Sequence, residues 1–576
     1  MPTSNTTIYI VSFLEEKGVN VIFGYIGGMI THLVDSIDKN PNIQFVQTYH
    51  EQTAAIAAEG YALESGKFGV AICTSGPGVT NMMTGIADAY FGSIPVLYIT
   101  GQVNTYEYKY SKPIRQQGFQ ETDVISLVRS ITKYAKMVDN AEDIRYELEK
   151  AIYMAMEGRK GPVVIDLPMN ISRAEIEPEK LIGFQSESLE ESSFDFSEVK
   201  LLLDKAERPM LLLGAGSLGC EELIQNFIDQ LQIPVVTSLM GRGIIDETYE
   251  HYVGMIGSYG NRCANMAISK ADLLIALGTR LDTRQTGAMI DSFLRDGKII
   301  HVDIDKNELD YHRLCNRLKV NLSVSDFLRG LANVNILHKD YSVWNSWILK
   351  IKKLYSQDQE IERFVENKSP YLLMQTLNEI TKENDIITVD IGQNQMWAAQ
   401  TLRLKKGQHF VTSGGLAPMG FSLPVSIGIA FASPHKTVYC INGDGGFHMA
   451  VQSLMLISQY KLNIRVIVMN NKALGMITQF QHLYFNDRMA GTTSDNGYCV
   501  PNIETISKAY GIPYINISKE NMKREFLINS KTTSFVIFNY QIEGLTTVCP
   551  KLAYNNPIES PMPLLEDEEF NDIMNV

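Results

Sequence analysis

The chain has 576 residues, of which 45% are hydrophobic and 20% charged, and its formal net charge is -14 at pH 7. One hydrophobic core cannot organise this length, so several domains are expected, and the acidic balance argues against nonspecific nucleic-acid binding. Seven scattered cysteines without a CxxC spacing favour reduced thiols in the cytoplasm. The sequence shows neither a basic-then-apolar leader nor a long apolar run, so we expect no membrane partner.

Short apolar runs alternate with helix-length segments, which is typical of parallel sheets covered by helices. The first such unit spans residues 1–182, with the runs GVAICTS, IPVLYITG and GPVVIDLP and the helical segment EQTAAIAAEGYALES. A Ser- and Glu-rich linker at 183–198 follows. A second unit, 199–345, begins near RPMLLLGAGSLG and includes ADLLIALGT and KIIHVDID, and a helical linker at 346–369 comes next.

The third unit, residues 370–545, contains NDIITVDIG, KTVYCINGDGG, IRVIVMNN and TSFVIFNYQ, and a tail at 546–576 ends the chain. We therefore predict the α/β class, with three doubly wound parallel-sheet domains.

Two oxygen-bearing side chains follow strand-like runs of the third unit. Asp444 follows TVYCIN, and Asn471 follows RVIVM. If these strands are neighbours, both side chains leave the same edge of the sheet, where they would suit a Mg²⁺ ion that also binds phosphate. Taken alone, each half also fits an Asp-Gly turn or an Asn pair in a loop.

Glycines around Asp444 would let backbone amides approach a diphosphate closely. A helix predicted to begin near Phe447 would add a favourable N-terminus for that anion. The combination predicts a metal-diphosphate site.

Over nearly its whole length the chain resembles the acetohydroxyacid (acetolactate) synthase family, whose members use thiamin diphosphate. The resemblance rests on GDG followed after 24 residues by NN, and on FGYIGG, HEQTAAIAAEGYA, TSGPGVTN, GFQETDV, GTRLDTRQTG, SGGLAPMGFSLP and GMITQFQ. It implies a pyrimidine-binding, a central FAD-binding and a diphosphate-binding domain, in that order. It also implies a homodimer or homotetramer, because in this family the glutamate and the diphosphate site around one cofactor come from different subunits.

The resemblance assigns roles to individual residues. Glu51 would stabilise the imino form of the cofactor's aminopyrimidine, although a glutamate here also suits a helix N-terminus. Gln120 would hydrogen-bond substrate, and its alternative is a loop-capping amide. Met449 would wedge between the cofactor's rings, or else belong to a helix core. The implied thiamin diphosphate contacts are Gly392, Gln393, Asn394, Met419, Gly443, Gly445, Gly446, Met449 and Met476. The implied metal ligands are Asp444, Asn471 and Ala473.

The central unit carries the implied FAD contacts: Gly214, Ala215, Gly216, Ser238, Leu239, Met240, Gly257, Gly278, Arg280, Asp282, Arg284, Asp303 and Ile304. The pattern GAGSLG alone also fits a turn that binds nothing, and the arginines also fit a surface ion-pair cluster. One departure stands against FAD: this chain has KVNLSVSD where the family usually has a Gly-Asp pair near the adenine.

Departures around the expected substrate site leave the acceptor open. Phe119 and Phe480 are the implied substrate contacts, and Phe480 stands where Trp is usual. One hypothesis is a carboligase that joins a pyruvate-derived acetyl unit to a second 2-keto acid, as in branched-chain amino acid biosynthesis. A second keeps pyruvate as donor but uses a larger ketone or aldehyde, such as a keto-sugar nucleotide.

Three further alternatives are a simple 2-keto acid decarboxylase, a pyruvate oxidase and a non-catalytic cofactor-binding regulatory protein. Retention of Glu51, Asp444 and Asn471 argues against the last, because a scaffold needs no such constellation. The sequence leaves open whether a regulatory subunit binds.

Overall fold

The computed structural model describes residues 4–186 and 194–575. It contains three six-stranded parallel sheets, each flanked by helices, which confirms the predicted α/β class with three doubly wound sheets. The middle of the predicted linker, residues 187–193, lies outside the described residues.

The first sheet has the strand order β3-β2-β4-β5-β7-β6, and β1 pairs with β8 apart from it. Its strands are Ser4–Asn5 (β1), Val21–Tyr25 (β2), Gln44–Gln47 (β3), Gly69–Cys73 (β4), Val96–Gln102 (β5), Tyr134–Met137 (β6), Val163–Pro168 (β7) and Glu175–Ile176 (β8). Its helices are Thr6–Glu16 (α1), Thr31–Asp38 (α2), Glu51–Ser65 (α3), Pro77–Gly92 (α4), Val124–Val128 (α5), Ile144–Met156 (α6) and Met169–Ser172 (α7).

The central sheet has the order β11-β10-β9-β12-β13-β14. Its strands are Pro209–Leu213 (β9), Val235–Thr237 (β10), Tyr252–Met255 (β11), Leu273–Leu277 (β12), Lys298–Val302 (β13) and Arg317–Val320 (β14). The helices here are Ser197–Lys205 (α8), Glu221–Leu231 (α9), Arg262–Lys270 (α10), Thr283–Thr286 (α11), Lys306–Asp310 (α12), Val324–Leu331 (α13), Ser342–Leu354 (α14) and Gln357–Phe364 (α15).

The third sheet has the order β16-β15-β17-β18-β20-β19. Its strands are Ile386–Val389 (β15), His409–Val411 (β16), Val438–Gly443 (β17), Ile464–Asn470 (β18), Tyr514–Ile517 (β19) and Val536–Gln541 (β20). The helices are Ser369–Ile380 (α16), Gln393–Thr401 (α17), Ser422–Ala432 (α18), Asp444–Met449 (α19), Leu454–Tyr460 (α20), Gly475–Tyr484 (α21), Ile503–Ala509 (α22), Met522–Thr532 (α23) and Asp567–Met574 (α24).

Helix α3 joins the first and third units through a close crossing with α18. A Cβ added at Gly428 would stand 1.8 Å from the Ala57 carbonyl oxygen, and one at Gly60 would stand 2.1 Å from that of Val425. Only glycine permits this approach. The crossing fixes α3, and with it Glu51, against the third unit.

Some sequence expectations need adjustment. The helix expected near Phe447 begins three residues earlier, at Asp444, and the connection from β17 to β18 contains two short helices, α19 and α20. The predicted domain boundaries stay predictions, although those at 198/199 and 345/346 fall inside α8 and α14.

The C-terminal tail packs on the central unit. The Arg262 guanidinium donates to the carbonyls of Pro561 (3.0 Å) and Pro563 (2.7 Å), and the Trp347 indole donates to Ile573 at 3.0 Å. The tail is therefore part of the folded structure. Among the described helices, none is both long and apolar enough to cross a membrane.

Candidate functional site

The two oxygen ligands predicted from sequence lie at the ends of adjacent strands. β17 and β18 pair in parallel, with Gly443 opposite Met469, so Asp444 and Asn471 both follow strands at one edge of the sheet. The Lys472 amide donates to Asp444 Oδ2 at 2.8 Å, and the Ala473 amide donates to Asn471 Oδ1 at 3.2 Å. The loop after β18 therefore carries two of the predicted metal ligands, Asn471 and Ala473, and its Lys472 amide binds the third, Asp444.

The environment of Asp444 fits a cation. Its side chain is buried, and burial raises the pKa of Asp444, an effect that hydrogen bonds from Tyr498 and the loop amides oppose. No basic side chain pairs with it in the described part of the chain. A buried carboxylate without a positive partner is costly, and a Mg²⁺ ion with a carboxylate, an amide and a carbonyl ligand would offset that cost.

The predicted metal ligands are mostly not titratable side chains. Among residues 4–186 and 194–575, no group of three or more His, Cys, Asp or Glu side chains could hold a metal ion. The predicted ligand set has a single carboxylate, because its other two members are an amide and a backbone carbonyl.

Glycines line the adjacent corner between α17, α19 and α21. A Cβ at Gly475 would stand 2.1 Å from Gln393 Oε1, and one at Gly443 would stand 3.3 Å from Asn394 Oδ1. Gly446 also packs closely, since a Cβ added there would stand 2.3 Å from Asp390 Oδ1. The N-termini of three helices thus converge beside the predicted metal ligands, an arrangement suited to a diphosphate.

Two of the predicted methionines lie at this corner. A Cβ at Gly445 would stand 3.1 Å from Met419 Cε, and one at Gly420 would stand 3.2 Å from Met449 Cβ. Met449 is 59% exposed. That exposure contradicts the alternative in which Met449 belongs to a helix core, and it leaves the side chain free to contact a ligand.

Glu51 is the first residue of α3 and is buried at 6% exposure. Its Oε2 accepts a hydrogen bond from Asn81 Nδ2 at 2.9 Å, and its Oε1 lies 3.4 Å from where a Gly78 Cβ would be. The His50 side chain, not Glu51, caps the helix by accepting from the Gln52 amide. The carboxylate of Glu51 therefore does not cap the helix.

Gln120 lies over the same turn. It has a positive φ of 62°, and a Cβ at Gly76 would stand 3.1 Å from Gln120 Cβ. Glu121 holds this loop by accepting from the amides of Gln117 (2.6 Å) and Gly118 (3.0 Å). The neighbouring Phe119 is 81% exposed. The turn at Gly76–Gly78 therefore contacts both Gln120 and Glu51.

A cavity of about 1910 Å³ opens beside the central sheet. It is lined by eleven of the thirteen predicted flavin residues, namely Ala215, Gly216, Ser238, Leu239, Met240, Gly278, Arg280, Asp282, Arg284, Asp303 and Ile304. Gly214 and Gly257 do not line it. Instead they allow close backbone packing, because their Cβ atoms would stand 2.3 Å from the Gly278 and Arg284 carbonyl oxygens.

The charged groups of this cavity are only partly paired. Arg280 donates to Asp282 at 3.1 Å, and Asp282 also caps α11. Burial raises the pKa of Asp303 to about 6. Asn321 belongs to KVNLSVSD, the segment that differs from the usual family sequence. Its side chain donates to the carbonyls of Asp303 (3.1 Å) and Ile304 (3.0 Å). Asn321 thus braces this rim through side-chain bonds to backbone carbonyls.

Phe480 and Met476 lie one turn apart on α21, facing the central unit. The Tyr259 hydroxyl donates to Met476 Sδ at 3.5 Å. Phe480 is 46% exposed and packs against Tyr484 with the ring planes tilted by 55° and the centroids 4.7 Å apart. Helix α21 therefore runs from the diphosphate corner at Gly475, past Tyr259, which lines the large cavity, to Phe480.

Several contacting residues escaped the sequence analysis. Asn81 could have been noticed, since it closes the quoted segment TSGPGVTN. Tyr498 donates to Asp444 at 2.5 Å across 54 positions, and Thr546 donates to Gln393 at 2.6 Å across 153. No local pattern marks residues that only the folded chain brings together.

Family models match all three units of the chain. They are the N-terminal thiamine pyrophosphate (thiamin diphosphate) binding domain of thiamine pyrophosphate enzymes over residues 4–127, their central domain over 197–331, and their C-terminal thiamine pyrophosphate binding domain over 390–537.

Curated relatives match over most of their length. The chain is 35% identical to the acetolactate synthase large subunit of Lactococcus lactis, over 90% of this chain and 88% of that protein. It is 35% identical to a probable acetolactate synthase large subunit of Methanocaldococcus jannaschii, covering 98% of both. It is 34% identical to the isozyme 2 large subunit of Escherichia coli, over 90% of this chain and 91% of that protein.

Proposed function

Because this chain belongs to the acetolactate synthase family of thiamine pyrophosphate enzymes, we propose that it decarboxylates pyruvate and joins the two-carbon unit to a second 2-keto acid. The observation that carries the proposal is the corner at the ends of β17 and β18. There Asp444 and Asn471 follow adjacent parallel strands, and the loop that carries Asn471 binds Asp444 through the Lys472 amide, beside the converging glycines. This corner suits a metal-bound diphosphate and is complete in the folded chain.

Thiamin diphosphate, when bound, supplies the acidic carbon that attacks a keto acid carbonyl. Asp444, Asn471 and the Ala473 carbonyl would hold a Mg²⁺ ion on its diphosphate. Glu51 would hold a proton on the aminopyrimidine nitrogen, and the Asn81 amide at 2.9 Å would orient that carboxylate. Gln120, above the Gly76 turn, would hydrogen-bond the substrate.

The cavity beside the central sheet supports FAD as a second cofactor. It is bordered by glycine turns and by Arg280 and Arg284, and arginine suits a pyrophosphate. The overall reaction is redox-neutral, so FAD would not be consumed. The cytoplasmic location stays a prediction.

Product analysis with labelled pyruvate tests the function. The purified protein, supplied with thiamin diphosphate, Mg²⁺ and FAD, should release labelled carbon dioxide and form acetolactate. Acetaldehyde alone would point to a decarboxylase, and acetate to an oxidase. Absence of any pyruvate consumption, in the presence of every acceptor tried, would contradict the proposal.

A second candidate keeps the donor and changes the acceptor to a larger ketone or aldehyde. The favouring observation is Phe480, which replaces the usual Trp and is 46% exposed. A smaller ring leaves more room for the acceptor. In this case pyruvate alone would be consumed slowly, and consumption would accelerate when the larger acceptor is added.

The family relationship supports a homodimer or homotetramer whose sites are shared between subunits. Mixing Glu51→Gln subunits with Asp444→Ala subunits would test this, because hybrid dimers would contain one intact site. Activity should return on mixing two inactive variants. Continued inactivity in a demonstrated hybrid would place both residues in the same subunit's site. Co-purification would test separately whether a small regulatory subunit binds.

A further inference from the structure

Lys551 places an ammonium group beside the predicted acceptor residue. Its Nζ lies 5.9 Å from the ring centroid of Phe480 and 5.9 Å from that of Tyr259. Backbone hydrogen bonds with Met562, of 3.0 and 2.7 Å, and one from the Leu552 amide to the Ser258 carbonyl (2.7 Å) fix this stretch of the tail. The position of Lys551 is therefore built into the fold.

A second cation contacts the same aromatic ring. The Arg284 guanidinium carbon lies 5.4 Å from the Tyr259 centroid. Within residues 4–186 and 194–575, neither Lys551 nor Arg284 forms a side-chain hydrogen bond or an ion pair with a carboxylate. Burial, and then the charge of Arg284, lower the pKa of Lys551.

Two cations held this way are unfavourable without an anion. Partial burial removes water from Lys551, and the like charge of Arg284 adds repulsion. The aromatic faces of Tyr259 and Phe480 compensate only modestly, since a cation on an aromatic ring gains less than a cation paired with an anion. An anionic oxygen group between the two cations would relieve both costs.

The location indicates which anion this is. Tyr259 bonds to Met476, which lies one helical turn before Phe480 on α21. The two cations therefore lie beside Tyr259, which contacts this helix, and Lys551 also lies beside Phe480, the predicted substrate contact.

We infer that Lys551 binds an anionic oxygen group of the acceptor and so helps determine which acceptor is used. The inference rests on the proposed function. The group is a carboxylate, as on a second 2-keto acid, or a phosphate, as on a phosphorylated carbonyl compound. Phe480 would pack against the carbon skeleton between this group and the reacting carbonyl.

Matched pairs of charged and neutral acceptors test the inference on the holoenzyme. The pairs are 2-ketobutyrate with its methyl ester, and dihydroxyacetone phosphate with dihydroxyacetone. Lys551→Gln should raise KM about tenfold or more for the charged member of one pair, as expected when a charge-assisted bond is lost. The neutral member should change little, and Lys551→Arg should restore the wild-type KM. The pair that responds identifies the carboxylate or the phosphate.

The control is Lys298→Gln, at the amino end of β13 and hence at the opposite edge of the central sheet from the cavity. Equal effects of Lys551→Gln on charged and neutral acceptors would overturn the inference. So would loss of bound FAD in that variant, because the anion would then be the flavin's pyrophosphate.

Calorimetric titration with both charged probes, without pyruvate, covers the case in which neither is turned over. Equal binding by wild type and Lys551→Gln, or no binding by either, would overturn the inference. Carbon dioxide release from pyruvate, measured separately, reports on the proposed function. If the wild type releases none, the proposed function fails, whatever Lys551 binds.

Discussion

Two buried carboxylates on α3, the helix that begins with Glu51, should affect stability in opposite directions. Glu64 accepts hydrogen bonds from Lys436 Nζ (2.7 Å) and Ser433 Oγ (2.6 Å). Glu59 is fully buried, and neither of its oxygens has a hydrogen-bond partner in the described residues. The carboxyl of Asp88 acts on Glu59 electrostatically.

The effect of Glu64 follows from its pKa. Burial alone would raise that pKa, but hydrogen bonds from His409, Lys436 and Ser433 lower it from 4.5 to about 2. The difference corresponds to about 3 kcal/mol of stability. This stability is complete above pH 4.5 and is lost as the pH falls through 2. Glu64→Gln should therefore lower the free energy of unfolding by about 3 kcal/mol at pH 7 and by little near pH 2.

Glu59 should make stability depend on pH in the opposite direction. Burial, and then the charge of Asp88, raise the pKa of Glu59 well above 4.5. Above pH 4.5 the folded chain therefore binds a proton that the unfolded chain has lost, and stability falls by about 1.4 kcal/mol per pH unit. The decline continues until the pH reaches the pKa of Glu59 in the folded protein. Glu59→Gln removes this pH dependence. The free energy of unfolding of the variant, relative to that of the wild type, should therefore increase as the pH rises from 5 to 7.

Hydrogen exchange of the α3 amides, followed by mass spectrometry in increasing urea, measures the stability of this unit directly. The measurement is site-resolved, which matters because a chain with three units need not unfold in one step. Parallel pH dependence of Glu59→Gln and wild type would refute a neutral, buried Glu59. Unchanged stability of Glu64→Gln at pH 7 would refute its ion pair.

Four further predictions concern the site. Asp444→Ala should weaken Mg²⁺-dependent thiamin diphosphate binding by more than about 100-fold, because removing a metal ligand costs more affinity than removing a residue that supports one. A fluorescence titration measures this affinity, and an unchanged value would exclude Asp444 from the metal site. Glu51→Gln should slow proton exchange at the cofactor's thiazolium carbon by about 100- to 10,000-fold, and Asn81→Ala by less, as NMR exchange rates would show. Phe480→Trp should shift selectivity toward pyruvate as acceptor by roughly 10- to 200-fold in competition assays, and an unchanged ratio would exclude this residue. The purified protein should carry noncovalent FAD with a flavin absorbance spectrum that survives turnover, and a colourless protein that gains no activity with FAD would contradict the flavin assignment.

The sequence determined the class of fold and the chemistry of the predicted ligands. Apolar runs of strand length, such as TVYCIN and RVIVM, are buried on both sides, so they show a continuous apolar pattern. Asp444 and Asn471 follow those runs directly, and parallel strands bring such positions to one edge. That is why the meeting of these two side chains was predictable although they are 27 positions apart.

Only the tertiary structure decided what each site residue touches. The partners of Glu51, Asp444 and Gln393 lie 30, 54 and 153 positions away, and no periodicity links residues across such distances. The same holds for Lys551, whose charge has meaning only because the tail folds back against Tyr259 and Phe480. Local patterns encode elements because backbone hydrogen bonding is local, whereas the burial and charge of a side chain depend on which elements pack around it.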